Sequence, residues 1–103
     1  AYSDYQTIRV GTRLIGGISL DSFVNERIEN FEILLVGFNL VNKEINGDEA
    51  IIRYYTEDEE SPKIETIMKI IKGKEHFYGA DCSYDSEAQK DTVEHIINSF
   101  TLN

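Results

Sequence analysis

Cysteine is nearly absent from this chain: Cys82 stands alone among 103 residues. That excludes an internal disulfide and any cysteine-based metal cluster, and a buried thiol is the expected state. Proline is equally scarce, with Pro62 the only one, so a single rigid punctuation point is expected. No apolar run approaches the ~20 residues of a membrane-spanning helix, and Ile33-Leu34-Leu35-Val36 reads as a short core segment. Membrane insertion by this segment is therefore not expected. Basic side chains are few and scattered: ten Lys and Arg against nineteen Asp and Glu give a formal net charge of −9, which repels phosphate backbones and argues against nucleic-acid binding. A basic protein partner suits the charge better, although acidity also serves solubility alone. No basic segment followed by an apolar one begins at Ala1, so a signal peptide, lipid anchor or propeptide would lie outside the residues given.

The apolar fraction of 41% suffices for one core, and the chain is read as one domain over residues 1–103. Residues 6–15 carry β-branched side chains at Thr7, Ile8, Val10 and Thr12 and stop at Gly16-Gly17, which predicts a strand and a turn. Ser19 is the expected N-cap of a first helix, with Asp21 in its first turn and an apolar stripe at Leu20, Phe23, Val24, Ile28 and Phe31. Gly37-Phe38 begins a new element. Asn46-Gly47, between Ile45 and the run Ala50-Ile51-Ile52-Arg53-Tyr54-Tyr55, predicts a hairpin closed by a type I′ turn. Residues 64–71 and 75–83 then form two further strands around Lys72-Gly73-Lys74. A capping box at Ser86 and Gln89 opens a final helix that buries Val93, Ile96, Ile97 and Phe100. The expected fold class is α+β: an antiparallel sheet of about five strands and two helices in the order β-α-β-β-β-β-α.

Candidate sites are weak. Residues 57–60 are four consecutive acids beside Pro62, yet the alternating oxygen ligands and central glycine of a calcium loop are missing, so a solvated loop outweighs a cation site. His76 and His95 lack a second ligand at metal-site spacing, and nothing around Cys82 predicts a lowered thiol pKa. No catalytic residue, metal ligand or cofactor-binding residue is assigned, because acids are too abundant to single out a pair and no glycine falls in a phosphate-binding pattern. The better candidates are aromatic. Tyr54-Tyr55 and Phe77-Tyr78 place rings on both strand faces, so Tyr55 or Phe77 is expected to be exposed for partner binding.

Taken in order, Ile18-Ser19-Leu20-Asp21-Ser22-Phe23-Val24, Val36-Gly37-Phe38-Asn39-Leu40-Val41, Ile45-Asn46-Gly47-Asp48-Glu49-Ala50 and Ile96-Ile97-Asn98-Ser99-Phe100 resemble the PsbP/DcrB-like superfamily, also called Mog/PsbP/DcrB-like. The resemblance implies an α/β/α sandwich around an antiparallel sheet. Members usually begin with a hairpin, whereas only Tyr2-Ser3-Asp4-Tyr5 precedes the first strand here, which fits a truncated or short bacterial lipoprotein member. It also implies largely non-enzymatic roles and offers no catalytic residue. The leading expectation is a non-enzymatic protein-binding or accessory module of an extracytoplasmic lipoprotein, with homodimerisation through an open sheet edge as one mode of partnering. The alternatives are an intracellular adaptor chaperone for a secreted effector and an unrecognised small hydrolase or metal-binding protein.

Overall fold

The structure is a computed structural model that describes residues 6–60 and 62–101, with residues 6–10 described by their backbone alone. The expected departure at Tyr2-Ser3-Asp4-Tyr5 lies outside the described residues. The elements run β1 (Gln6–Leu14), α1 (Leu20–Leu34), β2 (Phe38–Asn46), β3 (Glu49–Thr56), β4 (Ile64–Lys72), β5 (His76–Tyr84) and α2 (Glu87–Ser99). This is the α+β order read from the sequence. All five strands form one antiparallel sheet in the order β1-β5-β4-β3-β2, so the first strand closes onto the last and β1 and β2 are the edges.

Register sorts the side chains between two faces, because successive residues of a strand point to opposite sides. The pairs Ile52 with Met68, Ile70 with Gly79 and Gly11 with Gly79 put those residues on one face, and Ile67 with Cys82 belongs to the other. On the first face, α1 buries Leu20, Phe23, Val24 and Ile28 against Ala50, Ile52, Tyr54, Met68, Ile70 and Phe77. On the second, α2 buries Val93 and Ile97 against Ile67, Cys82 and Tyr84. The helices are staggered: α1 lies mainly over β2 and β3, α2 over β4 and β5.

Local chemistry explains the element ends. Ser19 caps α1, its Oγ accepting from the Ser22 amide at 3.1 Å. The hairpin forms where expected, but its turn sits one residue later: Asn46 pairs with Glu49, leaving Gly47-Asp48 as the loop. Gly47 has φ +59° and no non-glycine residue among those described has positive φ, so the glycine occupies the first central position, as in a type II′ turn. The expected capping box of α2 is also corrected. Gln89 Oε1 accepts from the Asp85 amide at 3.2 Å, and Ser86, at the N-cap, makes no side-chain cap bond. Its buried Oγ is left without a partner. Of the apolar stripe expected on α2, Val93 and Ile97 are buried, whereas Ile96 and Phe100 are half-buried.

Candidate functional site

The residues that the sequence singles out do not converge. Phe77 is 1% exposed and stacks on Phe23 of α1 with ring centroids 4.2 Å apart and planes 2° from parallel. The expectation of an exposed partner-binding ring is thereby corrected at Phe77: its strand position faces α1, and an interior stack is where so large an apolar area goes. Tyr55 is on the opposite face, half-buried, with Lys63 Nζ 4.5 Å from its ring centroid. Cys82 is fully buried against α2, as expected of a lone thiol. His76 is half-buried at the start of β5 and His95 is exposed on α2. Among the described residues, no three His, Cys, Asp or Glu side chains come together as a metal site would require. No helix among them is long and apolar enough to cross a membrane.

A different surface stands out. Six large apolar side chains are exposed among the described residues, and five of them fall within residues 33–41: Ile33, Leu34, Val36, Leu40 and Val41. The segment read as core is therefore mostly surface. Helical spacing explains the change, since the buried stripe through Ile28 continues to Phe31 and Leu35, leaving Ile33 and Leu34, each at least 75% exposed, to point away from it.

The apolar segment is held firmly from below. Leu35 ends α1 in an extended conformation, its amide donating to Phe31 O at 2.9 Å. Gly37 then turns the chain at φ +72°, and its carbonyl accepts from the Glu57 amide at 3.1 Å and from Asn39 Nδ2 at 2.9 Å. A Cβ at Gly37 would collide with the Glu57 carbonyl, so glycine is required there twice over, by conformation and by space. Phe31, Phe38 and Tyr54 pack as a triangle with centroids 5.0 to 5.8 Å apart, joining the end of α1 to β2 and β3. At Val41 the β2 ladder is interrupted by a bulge between Leu40 and Asn42, which leaves Val41 59% exposed on the edge strand. The bond from Glu57 to Gly37 also fastens the exposed acids at 57–60 beside this apolar turn.

On the α2 face the electrostatics are internal. Arg53 Nη1 reaches Glu94 Oε1 at 2.9 Å, tying β3 to α2, and the buried Lys69 ammonium lies 3.3 Å from Glu49 Oε1. Tyr84, near the Arg53–Glu94 pair, has its phenol pushed up to about 12, first by burial and then by the charges of Glu65, Glu94 and Glu87, with Arg53 opposing.

No family model matches the chain, and no curated protein is similar to it. Among solved structures it is similar to the crystal structure of PA94, a protein of unknown function from Pseudomonas aeruginosa, with a TM-score of 0.69 and 12% sequence identity over 96% of this chain and 85% of that one. At that identity the likeness establishes a shared fold and leaves the activity of this chain to its own surface.

Proposed function

We propose that this chain is a non-enzymatic protein-binding module that receives an extended segment of a partner along the β2 edge. One observation carries the reading: five of the six exposed large apolar side chains among the described residues lie in, or within five residues before, a strand paired on one side only. An exposed aliphatic cluster marks an interaction surface, and an unpaired edge offers the main-chain hydrogen bonds with which a partner strand adds to a sheet. The occupant argued for has alternating apolar and basic side chains, because the acids at 57–60 border the apolar turn and the whole chain carries −9. Two copies of so acidic a chain repel one another, which favours a basic partner over a homodimer through the same edge. As an accessory part of a bacterial extracytoplasmic lipoprotein of the PsbP/DcrB-like kind, such a module would supply contacts and no chemistry.

Titration of the ¹⁵N-labelled chain with two peptides, one alternating valine and lysine and the other valine and glutamate, tests the proposal. The lysine peptide shifts β2 amides, and Val41→Glu weakens it about tenfold, the scale of one lost apolar contact. Equal binding of the glutamate peptide, shifts confined to other elements, or stable self-association through β2 overturns the reading. Fractionation of cells carrying the full-length gene places the product in the envelope; a cytosolic product contradicts the lipoprotein assignment.

A further inference from the structure

Beside α1, on the half of its sheet face formed by β1 and β5, lies a groove of about 320 Å³, at the small end of the range of ligand pockets. Its walls include Phe23, Phe31, Met68, Ile70 and Phe77, and its lining includes Gly11 and Gly79, which pair directly across the β1–β5 ladder. Neither glycine has a positive φ, so the backbone does not demand glycine at either position. Packing does not demand it either: among the described residues, a Cβ at Gly11 would meet nothing within 4 Å, and one at Gly79 would meet only the Lys69 carbonyl at 3.8 Å. Two mid-strand glycines facing one another weaken a sheet, and such glycines often mark the close approach of a ligand or another backbone.

Charge indicates what the occupant carries. Arg13 and Arg27 both line the groove, with guanidinium carbons 5.4 and 5.3 Å from the Phe23 ring centroid. Arg13 shares Glu26 at 3.1 Å, in an exposed pair, whereas Arg27 makes no ion pair among the described residues. Asp81, the one acid in the lining among the described residues, is buried and already engaged in an interaction of its own. On a chain of net charge −9, a groove that presents Arg27 without an ion pair among the described residues, with Arg13 in an exposed pair beside it and two glycines in an otherwise largely apolar lining, favours an occupant of the opposite sign.

We infer that this groove binds a small amphipathic carboxylate, its apolar body lying on Gly11 and Gly79 beside the stacked Phe23 and Phe77 and its carboxylate paired with Arg27 and Arg13. Guanidinium groups bind carboxylates bidentately and keep their charge at all physiological pH values, so the pairing is specific in geometry as well as in sign. The groove lies on the α1 face and shares only Phe31 with the residues beneath the apolar turn, whereas the other proposal concerns the β2 edge, so different amides report on the two and they stand or fall separately.

The test uses octanoate as the probe and octylamine as its charge-reversed control, each titrated into the ¹⁵N-labelled chain. Octanoate shifts the amides of Gly11, Gly79 and Arg13 along saturable curves, and octylamine does not. Gly79→Val, which fills the floor, lowers octanoate affinity at least tenfold, and Arg27→Gln lowers it severalfold. Gly11→Ala serves as the second floor variant: its methyl group enters open space, so the folded chain is retained while octanoate binding falls. Equal binding of octylamine, octanoate shifts confined to α2, or affinity unchanged in both glycine variants overturns the inference.

Discussion

The two faces of the sheet receive one helix each and end in different states. On the α2 face, the helix sits over β4 and β5, and the half it leaves over β3 is crossed by the Arg53–Glu94 pair and carries the Lys69–Glu49 pair. On the α1 face, the helix sits over β2 and β3, and the half it leaves over β1 and β5 is a groove with glycines in its lining and arginines at its side. Closure on one side and an open groove on the other thus follow from the same staggered arrangement. What differs is side-chain choice: both vacancies are crossed by an ion pair, Arg53–Glu94 on one and Arg13–Glu26 on the other, but only the second has a glycine pair, Gly11 opposite Gly79, in its lining. The open vacancy, bordered by an Arg27 with no ion pair among the described residues, is the one proposed for binding.

The largest expected effect breaks the α1 side. Phe77→Ala removes one ring of the Phe23 stack and destabilises the fold by about 3–5 kcal/mol, whereas Val93→Ala on the α2 side costs about 2 kcal/mol, in proportion to the smaller apolar volume lost. Denaturant midpoints with unchanged slopes measure both, and equal losses would show that the aromatic stack is not the main anchor of α1. A middle-sized effect sharpens the α2 side. Because the neutral phenol of Tyr84 is favoured in the fold, its contribution is fully present below the ordinary tyrosine value of about 10 and is lost as pH rises through about 12. Thermal stability measured between those pH values falls more steeply for the parent chain than for Tyr84→Phe, by on the order of 2 kcal/mol over the interval. Parallel curves would mean that the phenol is as well solvated folded as unfolded.

The smallest effect concerns the entry to α2. An N-cap serine replaced by alanine ordinarily costs ~1 kcal/mol, yet Ser86 Oγ is buried without a partner and makes no cap bond. Ser86→Ala is therefore within about 0.5 kcal/mol of the parent and can even stabilise. A full capping loss would show that the hydroxyl does bond a helix amide.

Local signals were legible in the sequence and long-range ones were not. Ser19 with the stripe from Leu20 to Ile28 identifies α1, and the run from Ala50 to Tyr55 identifies β3, because capping and periodicity act within a few residues. Asn46-Gly47 announces the hairpin, but the register of β2 against β3 decides which two residues turn, and it selects Gly47-Asp48. Alternation alone shows that Phe77 and Tyr78 face opposite ways without saying which way is in; the stack on Phe23 settles it. The exposure of Ile33 and Leu34 could have been read by extending the helical stripe, whereas the groove could not. Gly11 and Gly79 lie on the first and last strands of the chain, and only the pairing of β1 with β5 makes them neighbours.

The contrast between the two faces can be measured on a single strand. Cys82 faces α2 and is fully buried; position 79 of the same strand faces the groove. Thiol reactivity towards a small disulfide reagent under native conditions, compared between the parent chain and Gly79→Cys in a Cys82→Ala background, reports the openness of each face directly. The thiol introduced at position 79 is expected to react within an order of magnitude of an exposed model thiol, while Cys82 waits for unfolding. Equal protection of both would contradict the account, since the α1 face would then be as closed as the other.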